Sequence, residues 1–502
     1  MASDSNLNNS AGNSVAVTAD TASSPTPDQA PAPMMKPAPM MKHEGPPPTP
    51  EGLSWRTIVG DKFIDKTGLK VDFIFEGGFS ANNVSDSSVK NSGGGSANFP
   101  NGQPGDLGFQ LQSMWTFVHR DAKSNMLPRI TPIPPPMFKH FDWGFDADGF
   151  YGRSGQPCGM PGFDQTWGIN EPGASNPAAA NATKQNFLCM PNAYGQIYFP
   201  VFKGIEITGG RYGDGLGFEI PPQVTHGPNF FYSHTYAFYS SAWQVVGVLA
   251  TANLMHSPKN GYLMAEFGLN NGEQLATSGT GNTMEGYEGA LRWKAPHMNS
   301  SIDYSFRAAS GNIKTVGGAP INPLYIGPVY PILSPVNQNR WRQDLVLQHE
   351  FNHKLSAQIE GLYWKQDGNK ANTVNVVVGG PFGGDHAAGV NGRVVYNFNP
   401  KFGVGARLEA FHDQNGFFLL PLNLYHVATE SGVVAKESYG TFTDATFGVN
   451  FNPIPNIRIR PEIRFDHNGN GAFGSANALV FSGTNAPKDN MTSFNMDLIF
   501  MF

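Results

Sequence analysis

The sequence predicts an all-β protein: a transmembrane antiparallel β-barrel of about 16 strands, closed by the C-terminal strand. Three observations predict it. Apolar residues recur at every second position in segments of about ten residues, the span of a tilted membrane strand. With 59 glycines, 12% aromatic residues and only 14% charged residues, the composition favours strands joined by turns. Tight and long links alternate along the chain, as between two unlike rims of a barrel.

Composition also excludes several classes. No run reaches about 18 apolar residues, so a helical membrane protein is ruled out, and the mean hydropathy is −0.30. A net charge of −6 argues against a nucleic-acid partner. No HExxH, GxSxG or P-loop pattern is present, so neither an enzyme nor a cofactor is expected, and no metal site is assigned. The two cysteines, Cys158 and Cys189, share one Gly/Pro/Asn-rich stretch. They are assigned as a disulfide closing one loop in an oxidising compartment, with two unpaired thiols as the alternative. The chain opens on Met1-Ala-Ser-Asp4 with no basic or apolar leader, so an exported protein of this sequence would be a mature form.

Residues 1–54 are expected to be a disordered Pro/Met-rich periplasmic tether. They carry a direct repeat, Pro31-Ala-Pro-Met-Met-Lys36 and then Pro37-Ala-Pro-Met-Met-Lys42, and bury too little apolar surface to offset ordering entropy. Met34, Met35, Met40, Met41 and His43 are donors a soft metal could use; simple linker composition is the favoured explanation. Trp55, Ile58, Val59 and Phe63 fall near helical spacing, so 55–68 is expected to be a short helix or turn before the barrel of 69–502.

From Leu69 the period is two. Val71, Phe73 and Phe75 alternate with Lys70, Asp72 and Glu76, and Leu107, Phe109 and Leu111 with Gln110 and Gln112. Less regular strands follow at 143–152, 193–199, 205–211 and 243–254. Then come clear ones around Phe267, Leu291, Tyr304, Leu347, Ile359, Val394, Leu408 and Phe447. The cleanest is Ile457-Arg-Ile-Arg-Pro-Glu-Ile-Arg-Phe465, with four charges on one face. The last, Thr492–Phe502, should pair with Leu69–Phe75 to close the barrel. Links at 200–203, 352–354, 399–401 and 452–456 are tight, whereas those at 212–242, 311–338, 415–439 and 468–490 are long. The link 121–140, with Pro132, Pro134, Pro135 and Pro136, is long where a tight turn is expected; it is either a periplasmic excursion or a sign that the count is off by two.

One central stretch carries a resemblance. Asn186-Phe-Leu-Cys-Met-Pro-Asn-Ala-Tyr-Gly-Gln-Ile-Tyr-Phe-Pro200, Gly204–Glu219 and Asn229-Phe-Phe-Tyr-Ser-His-Thr-Tyr-Ala-Phe-Tyr239 resemble the OmpL-like β-barrel porin family. The resemblance implies a pore for small hydrophilic solutes in a bacterial outer membrane, with Phe502 as a recognition end for insertion machinery.

With apolar faces toward lipid, the lumen is expected to receive Lys70, Asp72, Glu76, Glu206, Arg211, Glu266, Arg292, Arg307, Arg342, Arg393, Arg407, Glu409, Arg458, Arg460, Glu462 and Arg464. Arginines gather on the late strands and acids on the early ones, so opposed walls could set a transverse field; pairing across strands is the duller alternative. The Gly-rich link after Arg211 is the candidate constriction loop, with Asp214, Glu219 and His226 as its polar groups. Asp466–Gly471 starts like a calcium loop, but Asn477 stands where the bidentate Glu belongs, so a turn-rich loop is expected. The expected function is passive diffusion of small hydrophilic solutes and ions. The competing class is a loop-plugged barrel anchoring a partner through its tether. Expected partners are outer-membrane lipid, small hydrophilic solutes, further copies in a homotrimer and a periplasmic partner of the tether.

Overall fold

The computed structural model describes residues 52–83, 108–124, 126, 138–152, 163–164, 187–213, 215–217, 219, 224, 226–240, 244–272, 283–313, 315–316, 319–320, 336–337, 340–367, 384–414, 418–419, 439–470, 473 and 489–502. Chain contacts divide it into Met1–Pro48 and Thr49–Phe502. The Met/His tether residues 34–43, Asp214, Cys158 and Asn477 therefore lie outside the described residues.

Two short helices, α1 (Trp55–Val59) and α2 (Asp61–Thr67), precede the first strand. A left-handed Gly68 ends α2, a conformation open to glycine without a Cβ clash. Sixteen long strands follow. They are β1 (Lys70–Asn82), β2 (Gly108–Arg120), β3 (Asp142–Gly152), β4 (Ala193–Phe199), β5 (Ile205–Gly213) and β6 (Gln244–Ser257). Next come β7 (Gly261–Asn270), β8 (Thr283–Lys294), β9 (Ser300–Ile313), β10 (Arg340–Glu350) and β11 (Leu355–Asp367). The last five are β12 (Gly384–Asn399), β13 (Phe402–Asp413), β14 (Gly440–Ile454), β15 (Ile457–Asn468) and β16 (Asn490–Met501). Each pairs antiparallel with its sequence neighbours, and a three-residue strand, Phe187–Cys189, adds to the end of β3. Cys189 is buried and disulfide-bonded.

The barrel closes where β1 meets β16, from Ile74↔Met501 to Asn82↔Ser493, and Phe73 and Phe502 exchange backbone hydrogen bonds of 3.0 and 2.8 Å. Closure thus runs from Phe73 to Asn82 and overlaps the expected Leu69–Phe75 only at Phe73–Phe75. Strands of a barrel are tilted and staggered, so the start of β1 pairs only with β2, from Lys70↔His119. The link 121–140 is a long connection between β2 and β3, and the count of sixteen stands.

The fold is inside-out relative to a water-soluble domain. On β13, Leu408 is 62% exposed while its neighbours Arg407 and Glu409 are 0% and 5% exposed. The same holds for exposed Phe267, Leu291, Ile302, Leu345, Ile359, Val390, Phe447 and Leu498 against buried Glu266, Arg292, Asp303, Asp344, Glu360, Asn391, Thr446 and Asp497. A lipid-facing belt stabilises apolar side chains that water would penalise, and closure satisfies every ladder. Phe141, Trp143, Phe199, Phe351, Phe398 and Phe402 are exposed near the tight-turn rim, where an aromatic girdle belongs.

Candidate pore constriction

The link between β5 and β6 does not stay outside the barrel. Its described residues between Gly215 and Ser240 lie against the inner wall, ending in α3 (Tyr236–Ser240), and the wall's own sequence makes room for them. Gly405 on β13 and Gly448 on β14 sit where an added Cβ would come within 2.5 Å of Phe230 and 2.8 Å of Phe231. A Cβ on Gly78 of β1 would strike the Tyr232 hydroxyl. Glycine in a strand commonly marks such a close approach.

Charged wall residues hold this segment by its backbone. Glu462 accepts from the Tyr232 and Ser233 N–H groups at 2.9 and 3.1 Å, and Glu409 from those of Tyr236 and Ala237 at 2.8 and 3.2 Å. Arg464 donates to the His234 carbonyl at 2.5 Å, and Arg460 to those of Asn229 and Phe231 at 2.5 and 2.9 Å. Arg407 is the hub. Its Nη1 donates to Glu219 Oε1 and the Ser233 carbonyl, both at 2.8 Å, and its Nη2 reaches Asp444 Oδ2 at 3.2 Å. Its guanidinium also lies over the Phe231 ring, 5.1 Å from the centroid. Burial disfavours the Glu219 carboxylate, yet Arg407 and His234 hold its carboxyl below the usual carboxylate range. Burial, and then the nearby Asp466 carboxylate, keep the Tyr236 phenol well above its ordinary value.

The opposite wall contacts the start of the same segment, where Arg292 donates to the Gly215 carbonyl at 3.1 Å; just before it, Tyr212 at the end of β5 donates to Glu288 of β8 at 2.5 Å. Of the three expected constriction groups, Glu219 and His226 are on the segment and bonded to the wall, while Asp214 is undescribed.

All sixteen expected lumen residues lie on the inner face or its rim. Lys70, half exposed at the start of β1, pairs with Asp121 at 2.5 Å, and Asp72 contacts His119 at 2.8 Å. Glu206 accepts from Gln196 at 3.0 Å, and Arg211 reaches Asp164 at 2.5 Å, which brings Asp164 to the wall as well. Arg292 pairs with Glu266 at 3.3 Å and Arg307 with Glu288 at 3.1 Å, while Arg342 lies over Trp364, 4.8 Å from the centroid. Arg393 faces Arg407 directly across the β12–β13 ladder. Arg460 pairs with Asp497 and, at 3.1 Å, Glu76, whereas Arg464 contacts Asp466 and Asp444 at 2.7 and 3.2 Å. Arg458 bonds Asn452 at 3.0 Å.

The charges therefore do not separate into an acidic and a basic wall. Acids interleave with arginines on the late strands, because buried guanidinium groups need anionic partners within the same low-dielectric wall. Asp466, far from a calcium loop, accepts from Arg464 and from the Tyr236 hydroxyl. Sequence reasoning missed Asp444, although it continues the polar alternation Asp444, Thr446, Gly448, Asn450. It also missed the inward apolar cluster of Ile74, Trp115, Phe117, Phe150, Cys189 and Ile499, which breaks the alternation rule on the first wall.

Solved structures similar in fold are outer-membrane proteins. The outer membrane channel DcaP of Acinetobacter baumannii is 10% identical over 86% of this chain and 97% of its own, with a TM-score of 0.46. OprB of Pseudomonas putida is 12% identical over 88% and 96%, with a TM-score of 0.46. An anion-selective porin from Comamonas acidovorans is 12% identical over 86% and 99%, with a TM-score of 0.41. No curated protein matches the chain. The model of one family, described as "Putative beta-barrel porin-2, OmpL-like", spans residues 69–502, the whole of the barrel, and the chain belongs to that family of outer-membrane porins.

Proposed function

We propose that this porin passes small hydrophilic solutes and ions by passive diffusion through an eyelet set by residues 215–240. The observation that carries this reading is the bonding of that segment to Arg407, Glu409, Arg460, Glu462 and Arg464, which fixes its place inside the lumen. A barrel of sixteen strands without an inserted segment leaves a wide aqueous channel, so the segment governs what passes. The expected sixteen charged positions line this path. Their local pairing offers alternating donors and acceptors to a polar solute and costs an apolar one its contacts.

Arg458 separates this reading from a purely structural role of the wall charges. Among the described residues no acid lies within ion-pair distance of it, whereas Arg460 and Arg464 are bound to acids and to the segment. Arg458→Gln is expected to shift the zero-current potential in a salt gradient toward cation preference, with little change in conductance. Unchanged selectivity would remove Arg458 from the permeation path.

A second reading draws on the same burial. Arg407, Arg464 and Asp444 are essentially inaccessible, so a barrel plugged by its own segment and acting as a structural anchor through residues 1–54 fits that side of the wall. It predicts folded protein without open-state current.

A further inference from the structure

We infer that His119 and His226, with Asp72, form a binding site for a borderline divalent metal ion of the Zn²⁺ or Ni²⁺ class, which staples the constriction segment to the first wall of the barrel. His226 lies on the segment, with a left-handed backbone (φ 50°) that a histidine seldom adopts. It stacks on Phe117 of β2, with ring centroids 4.6 Å apart, and meets the His119 ring edge-on at 4.4 Å. The donor atoms of Asp72, His119 and His226 all lie within 4.8 Å of one another, and so do those of Asp146, Asp148 and His226. Ligands around a tetrahedral Zn²⁺ sit roughly 3.4 Å apart, given metal–ligand distances near 2.1 Å. Small side-chain rotations close that difference.

The hydrogen bonding sets both His119 nitrogens against carboxylates. His119 Nδ1 is 2.8 Å from Asp121 Oδ1, while Nε2 is 2.8 Å from Asp72 Oδ2. A neutral imidazole has one N–H and can donate to one carboxylate only, leaving a lone pair facing the other. An ion between Nε2 and Asp72 turns that repulsion into two coordinate bonds. Asp121 on the far nitrogen then orients the ring, the usual outer arrangement of a metal-bound histidine. His226 Nε2 meets Asp146 Oδ2 at 3.0 Å, an oxygen that also accepts from Tyr194 at 3.0 Å and Asn192 at 3.3 Å. The other oxygen of Asp146, a residue only 4% exposed, has no hydrogen-bond partner among the described residues. The carboxylates of Asp72, Asp121, Asp146 and Asp148 thus converge here around the two histidines, with the Lys70 ammonium on Asp121. Two histidines with carboxylate oxygen make a donor set suited to Zn²⁺ and Ni²⁺, not to Mg²⁺.

The site stands on its own geometry; its effect on current rests on the eyelet reading. The test is Zn²⁺ binding to the full, untagged chain folded in detergent, measured against a chromogenic chelator. The expected result is an ion that His226→Gln and His119→Gln each weaken at least tenfold, that Asp121→Asn weakens about tenfold, and that His353→Gln on an exposed turn leaves unchanged. Retention of the heat-dependent mobility shift confirms that each variant is folded. Wild-type binding no tighter than in His226→Gln, or no binding at all, would overturn the site. In single-channel records, micromolar Zn²⁺ is expected to lower open-channel noise in the wild type but not in His226→Gln. If binding follows the variants while the noise does not, the metal site stands and its coupling to the eyelet fails.

Discussion

Replacing residues 216–238 with a short Gly/Ser link is expected to raise single-channel conductance several-fold and to abolish discrimination among small solutes. Conductance follows the narrowest cross-section, and the deletion returns the space beside Arg407, Glu409, Arg460, Glu462 and Arg464 to water. Those five side chains exchange segment contacts for hydration, so none is left buried and unpaired. The barrel ladders do not involve the deleted residues, so the mobility shift on boiling should persist. Equal conductance in the deletion and the full chain would mean that the segment is not the constriction.

Arg407→Ala is expected to detach the segment without removing it. Arg407 is fully buried and satisfies Glu219, the Ser233 and His234 carbonyls, Ser233 Oγ, Asp444 and Thr446 at once. Asp444 keeps Arg464 at 3.2 Å, but Glu219 loses its principal counter-charge. Breaking a buried pair from one side costs about 3–5 kcal/mol, comparable to what holds a loop of this size in place. The expected readouts are new chymotrypsin cleavage within 216–240 and noisier, larger current steps. Arg407→Lys should restore little, because one ammonium cannot span acceptors arranged for a planar fork. Wild-type cleavage and current in Arg407→Ala would show that the hub is dispensable.

The barrel was legible because its physics is local. Lipid demands an apolar side chain at every second position, and the strand from Ile457 to Phe465 records that demand residue by residue. Alternation of link lengths supplied the two rims independently. The inserted segment was only half legible. Glycines and scattered polar groups after Arg211 pointed to an inserted segment, yet the residues that anchor it, Asn229 to Ala237, look in sequence like an aromatic loop. What holds them is backbone N–H and C=O bonded to wall charges, and backbone groups leave no trace in side-chain pattern. The opposed-wall field failed for a related reason. A list dominated by arginines on the late strands leaves out Asp444 and Asp466, which share their face and pair with Arg407 and Arg464. The closing seam was legible only in part, at Phe73–Phe75, since barrel stagger is a property of the whole sheet. The histidine site escaped because His119 and His226 are about a hundred residues apart and meet only when the segment crosses to the first wall.

The central claim is that sixteen strands enclose a water path narrowed by residues 215–240. Planar-bilayer recording from full-length protein that shows the heat-dependent mobility shift tests it most directly. Discrete open-state steps are predicted for the full chain, with larger ones after removal of 216–238. Folded protein that gives no current in either form would contradict the account and leave the plugged anchor in its place.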